Sequence, residues 1–249
     1  MRTMDLLTIL GFLFAIIAIA VGSVLKGVGL QALVSGAAFM IVVVGTLAAI
    51  MVHTPLAAFR HAMGMIKWIV RPPAMDGGQV VVKMLSWSST ARKQGLLGLE
   101  GAIDSESDGF LRSGLQLVVD GTEPELIRAI LEIDLSARER TDYAGAKVFE
   151  SMGVYAPTLG IIGAVLGLMA VMQNLAEPAK LGSGIAAAFT ATVYGIGLAN
   201  LLFLPCAAKL KSLVANQSHL REMMIDGLVA IAQGDNPRSI DARLRGYLG

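Results

Sequence analysis

Charge is scarce in this chain and cysteine nearly absent. Only 16% of its 249 residues are charged and 55% are hydrophobic. The mean hydropathy of +0.66 is too high for an ordinary soluble domain. A net charge of +1 gives no case for nucleic-acid binding. The single cysteine, Cys206, excludes an internal disulfide framework and a cysteine-based zinc site, and at a hydrophobic helix end it reads as a packing residue. His53, His61 and His219 are scattered, and no glycine-rich phosphate loop follows a strand. No catalytic residue, metal site or cofactor is therefore expected. Strand pairs, repeats and low-complexity segments are missing too.

What is present is long apolar runs. A membrane span needs about 20 mostly apolar residues, and four stretches qualify: Leu6 to Val24, Leu30 to Val52, about Val154 to Leu175, and about Ile185 to Ala208. Arg2 and Ala18-Ile19-Ala20 have features of a signal peptide. The apolar stretch is long for one and a second span follows closely, so the first is read as a retained span. Arg60, Lys67, Arg71, Lys147, Lys209 and Lys211 flank the spans on one side, against only Lys26 and Lys180 in the short turns. By the positive-inside rule both termini and residues 53–153 are cytoplasmic, with outer turns at Lys26–Gly29 and Glu177–Gly184.

The expected fold is an all-α membrane protein. Spans one and two fill residues 1–53, a helical cytoplasmic domain 54–153, spans three and four 154–208, and a helical cytoplasmic tail 209–249. Pro55 to Val70 carries helical apolar spacing and should continue span two; Pro72-Pro73 stops it. Val80 to Leu97 and Glu106 to Val119 read as amphipathic helices, and Thr122 to Glu125 as the start of a helix running toward span three. The cytoplasmic part is nearly balanced in charge, which suits a solvated surface or a reversible protein contact.

The hairpin of spans three and four carries the functional information. Ala156, Gly160 and Ala164 lie four apart, as do Ser183, Ala187, Ala191, Gly195 and Ala199, and Gly163 with Gly167 adds a further small pair. Such rows let helices approach closely in lipid. They serve packing within one bundle, or a surface for another chain's helix; the first does not explain why two different helices both carry such rows. An ion path through a membrane normally needs an ionisable group. The middle of this hairpin has none, only Thr158, Thr190, Thr192, Tyr194 and Asn200. A threonine hydroxyl does not titrate near neutral pH, so any carboxylate station must come from a partner. Pro157 and Pro205 are either simple helix breaks or hinges coupling the membrane to the cytoplasmic helices.

These residues resemble the MotA/PomA family, the ion-channel stator subunits of the bacterial flagellar motor. The likeness lies in Ala156-Pro157-Thr158-Leu159-Gly160-Ile161-Ile162-Gly163, in Thr190-Ala191-Thr192-Val193-Tyr194-Gly195, and in Pro205. It extends to the stretch from Ala91 to Glu100, to Phe110-Leu111-Arg112 with Leu117 to Gly121, and to Gly234 to Arg238. The resemblance implies a homopentamer around two copies of a single-span MotB-type partner, which supplies the membrane aspartate and a peptidoglycan anchor. It also implies the bacterial inner membrane, surrounding membrane lipid, no nucleic acid, and charged contacts with the rotor C-ring protein FliG. Pro157 and Pro205 match the family's coupling prolines, and Arg92, Lys93 and Glu100 its rotor-contact positions. Lys93 and Glu100 share a face if one helix carries both. Gly101 stands where sodium-type relatives tend to carry a second Glu. Thr158, Ala164, Thr192, Gly160 and Gly195 would line the ion path or face the partner. Ala164 stands where sodium-type relatives have Thr, which leans the coupling ion to H+ over Na+. The alternatives are a TolQ/ExbB-type envelope transducer, against which the four spans and the Arg92–Glu100 segment argue, and a non-conducting scaffold.

Overall fold

The structure is a computed structural model that describes residues 5–73, 75–173 and 178–248. Among the described residues every regular element is helical. Four helices are long and apolar enough to cross a membrane: Leu6–Leu25, Gln31–His53, Pro124–Gln173 and Gly184–Ala232. The chain divides into two compact units, residues 5–73 with 141–212, and residues 75–140 with 213–248.

The first unit opens with α1 (Leu6–Leu25), whose start is capped by the Asp5 carboxylate accepting the Thr8 N–H at 3.2 Å. Gly27 and Gly29 turn the chain at φ 73° and 76°, which only glycine adopts freely. A single 3₁₀ turn, Gln31–Leu33, leads to α2 (Gly36–Phe39), capped by Ser35. A π turn at Met40–Val44 joins α2 to α3 (Gly45–His53).

The helix does not then run on as the apolar spacing predicts. Thr54 and Pro55 are extended, and α4 (Leu56–Val70) starts afresh. The cause is Pro55, whose ring disfavours helical backbone at the residue before it. The backbone N–H of Asp5 donates to the Val70 carbonyl at 3.0 Å, tying the start of α1 to the end of α4.

In the second unit, α5 (Gly77–Gln94) is capped by Asp76 and ends at Gly95. A 3₁₀ turn, Leu96–Leu99, precedes α6 (Glu100–Ser105), and Asp108 caps α7 (Gly109–Val119). The long helices α8 (Pro124–Gln173) and α10 (Leu204–Ala232) each contribute to both units. Helix α11 (Pro237–Arg245) closes the chain. Met84, Phe110, Leu115, Ile127, Leu228 and Leu244 anchor this unit's core. At Gly114 an added methyl would meet Leu228, so glycine lets α7 and α10 touch.

Helix α9 (Pro178–Leu198) passes through a second π turn, Ala199–Phe203, into α10. The predicted end of span three at Leu175 lies outside the described residues, as does Glu177. From Pro178 onward the expected Glu177–Gly184 turn is helix, and span four begins earlier than Ile185.

Candidate functional site

The α8–α9 hairpin is an antiparallel pair with a fixed register. A methyl added to Gly195 would lie 2.5 Å from the Ala156 carbonyl and 3.1 Å from the Cα atoms of Gly160 and Pro157. One added to Gly160 would lie 2.9 Å from the Ala191 carbonyl. Gly163 faces Ala191, Gly167 faces Ala188, and Gly184 faces Val171. The two small-residue rows therefore mate with each other, backbone against backbone. This is the packing within one bundle, and it answers why two different helices carry such rows: each row is the other's partner. Gly160 and Gly195 are buried in this contact and are not an open lining.

The hairpin's polar groups divide by role. Thr190 Oγ1 lies 2.9 Å from both the Ala32 and Ala186 carbonyls, and Tyr194 donates to Leu33 O at 2.6 Å. These two hold α9 to the Gln31–Leu33 turn. Thr158 donates back to Tyr155 O at 2.8 Å, and Asn200 to Ile196 O at 3.0 Å. Thr158 is exposed, while Thr192 and Ala164 are half-buried. Around them α8 and α9 present exposed Ile161, Val165, Leu168, Phe189, Val193 and Ile196. Among the described residues the hairpin's membrane stretch offers no carboxylate, histidine, lysine or arginine.

Both prolines lie toward the same end of the hairpin. Pro157 sits inside α8, beside Gly195. Pro205 lies in the first turn of α10, one residue beyond the π turn at Ala199–Phe203. A proline ring clashes with the carbonyl four residues earlier, and the widened turn gives it room. Gly153 lies against Leu204, so by that register Pro205 is about 8 Å further along than Pro157. Just beyond, Lys211 pairs with Glu150 at 2.7 Å, and His61 Nε2 with the buried Asp142 at 2.7 Å. Gly145 abuts His61 and Met65, drawing α4 against α8 at that pair. Residues 81 positions apart in sequence gave no signal of this contact.

In the second unit Arg92, Lys93 and Glu100 are all exposed. None makes an ion pair among the described residues. They do not share one continuous helix. Gly95, at φ 78° and ψ 174°, ends α5, and Glu100 opens α6 after the 3₁₀ turn. The seven-residue argument for a common face therefore fails, and a glycine-only backbone conformation is the reason. The link from α6 to α7 is braced by Glu106, which accepts from Lys83 Nζ at 2.8 Å and from the Asp108 N–H at 2.9 Å. Arg112 donates to the Glu106 carbonyl at 2.9 Å. Burial pushes the Glu106 carboxyl up, but these donors outweigh it and hold it below the usual range.

Comparison with known proteins places this geometry. Residues 102–223 match the MotA/TolQ/ExbB proton channel family. Motility protein A of Bacillus subtilis is 37% identical over 246 residues, covering 98% of this chain and 91% of that protein. The MotAB structure of C. jejuni superposes with a TM-score of 0.94 at 30% identity, covering 99% of this chain and 96% of the other. The flagellar MotAB stator complex of Bacillus subtilis superposes with a TM-score of 0.91 at 36% identity, covering 97% and 95%. The chain is a membrane protein and belongs to the MotA/PomA family of flagellar stator subunits.

Proposed function

We propose that this chain is the torque-generating membrane subunit of a flagellar stator, and that ion flow past its α8–α9 hairpin drives the rotor. The observation that carries the reading is the hairpin itself: close-packed through Gly160 and Gly195, bordered by Thr158 and Thr192, and, among the described residues, without a carboxylate, histidine, lysine or arginine at membrane depth. A path of that kind needs a carboxylate from elsewhere. The MotAB structures it resembles pair such a subunit with a second protein. A single-span MotB-type partner, carrying the membrane aspartate and a peptidoglycan anchor, fills that role here.

The finer assignments follow. The subunit sits in the bacterial inner membrane with both termini cytoplasmic, as the cluster of Lys and Arg beside the spans supports. Five copies surround two partners. Helix α8 supports self-association: it exposes Leu126, Ile130, Ile133 and Ala137 in one unit, and Val154, Thr158, Ile161, Val165, Leu168 and Met172 in the other. The alternating three- and four-residue steps are those of a left-handed helix seam. Arg92, Lys93 and Glu100, exposed and without ion pairs among the described residues, contact the rotor protein FliG. The coupling ion is H+: Ala164 gives no oxygen with which to ligate dehydrated sodium.

The test is rotation of tethered cells lacking their own stators, with this chain and its MotB-type partner expressed together. Rotation that follows external pH and ignores sodium is expected. Rotation that requires sodium overturns the ion assignment. No rotation from a well-assembled complex overturns the stator reading in favour of an envelope transducer.

A further inference from the structure

Helix α1 stands away from the bundle. None of its residues is buried, although it ties to α4 through Asp5 and to α10 through Lys209. Two clefts open along its inner side. One, of about 490 Å³, is lined by Phe12, Ile16 and Ile19 of α1 against Phe39, Val193 and Leu202. The other, of about 350 Å³, continues toward Lys209 past Gly11, Asn200 and Pro205. They share Phe12, Ala15 and Leu201 and so form one groove.

We propose that this groove seats one phospholipid, its acyl chain along the apolar stretch and its phosphate at the Lys209 ammonium. An unfilled groove at membrane depth forfeits dispersion contacts on both walls. Water is a poor filling: the hydroxyl of Tyr194, the polar group of the larger cleft, is already committed to Leu33 O at 2.6 Å. A helix is a poor filling too. A cylinder about 10 Å across takes roughly 120 Å³ per residue, so the larger cleft of 490 Å³ holds about one turn. Helix contacts in lipid also favour small residues. This chain places its small rows between α8 and α9, whereas bulky Phe12, Ile16, Phe39 and Leu202 wall the groove. A flexible hydrocarbon chain conforms to such walls.

The length and the charged end agree. Val193 to Lys209 spans roughly 24 Å of helix, close to the ~20–22 Å of one leaflet with its headgroup region. Lys209 has three N–H donors. Two go to the Asp5 carboxylate and the Thr8 hydroxyl, and the third remains for a phosphate oxygen. Asp5 offsets part of the lysine's charge, so a phosphate is held by a hydrogen-bonded ammonium and not by an excess of cations. That this leaflet is the cytoplasmic one rests on the topology proposed above; the seat does not.

The test uses the full chain purified with its MotB-type partner, with bound phospholipid counted by native mass spectrometry after detergent washing. Methyls added at Gly11 meet nothing within 4 Å, and at Gly197 only Ile19 at 3.8 Å. Both glycines line the groove and both leave room for a Cβ, so Gly11→Leu with Gly197→Leu adds side-chain bulk to it. The wild-type complex retains a phospholipid per chain, and the double variant retains at least tenfold less, about 1.4 kcal/mol in affinity. Exchange into nanodiscs of anionic or zwitterionic phospholipid reads the headgroup: Asp5→Asn with Lys209→Gln weakens retention of both, because both carry the phosphate. Equal retention by wild type and the groove-filling variant overturns the seat, as does a wild type that holds no phospholipid. A variant that loses its oligomeric state with lipid content unchanged assigns the groove to a second copy and overturns it as well. Rotation is scored separately, so a failed stator reading and a failed lipid seat give different results.

Discussion

Gly195 is the position where the hairpin has least freedom, and a single methyl measures it. A Cβ at Gly195 would lie 2.5 Å from the Ala156 carbonyl oxygen, where real contacts of this kind do not fall below 3.0 Å. The helices must therefore separate by at least about 0.5 Å at this level, since the obstructing atoms are backbone and cannot rotate away. Overpacking of this kind costs about 1–3 kcal/mol, and separation also loosens the contacts of Gly160 and Gly163 with Ala191. Gly160→Ala, with its nearest obstruction at 2.9 Å, should cost less. Gly197→Ala meets only Ile19 at 3.8 Å and should be neutral or stabilising by up to about 1 kcal/mol through helix propensity. At about 2–4 °C per kcal/mol for a chain of this size, Gly195→Ala should lower the midpoint of thermal unfolding by roughly 2–12 °C. The assay is a thermal melt of the purified complex in detergent, followed by size exclusion, with all three variants side by side. Equal midpoints for Gly195→Ala and Gly197→Ala would refute the mated-row packing.

Other predictions follow from the same structure. Gly95→Ala forces a side chain into a backbone region almost exclusive to glycine and should cost about 1–3 kcal/mol; a melt of the purified complex measures it, and rotation speed at high load reports the displaced Glu100. His61→Ala leaves the buried Asp142 carboxylate without its partner and should cost about 1–3 kcal/mol, whereas His61→Gln, which keeps a donor, should cost less in the same melt. Glu106 is held below its ordinary range, so its contribution is present above the unfolded value of about 4.3 and is lost as pH falls through the lower folded value. Acid titration of the complex should show that loss, and Glu106→Gln should remove it. Ala164→Thr should leave proton-driven rotation intact if the ion is H+, and a new sodium requirement would show that this position selects the ion.

The sequence disclosed the hairpin most fully. Hydropathy located the spans, and the repeats of Gly and Ala located the helix contact, because both depend on spacing along a single helix. The mating of those rows was not legible, since spacing says which residues share a face and nothing of what that face meets. Three features escaped for related reasons. The break at Thr54-Pro55 is a local backbone effect that apolar periodicity runs straight across. The pairing of Asp5 with Lys209 joins residues 204 positions apart, and that of His61 with Asp142 joins residues 81 apart. The placement of Glu100 off the α5 helix hinges on the positive φ of Gly95, where sequence alone left a glycine inside a helical pattern. Thr190 and Tyr194 looked like candidate lining groups by type, and only the Gln31–Leu33 turn packed against them reveals that they hold the fold.

The central claim is that this chain shapes the ion path while its partner supplies the titrating group. Tethered-cell rotation tests it with two substitutions in parallel: the partner's membrane aspartate to asparagine, and Thr192→Val in this chain. The account predicts that the first stops rotation altogether and the second only slows it. Rotation that survives loss of the partner's aspartate, or that Thr192→Val abolishes in an assembled complex, would contradict it.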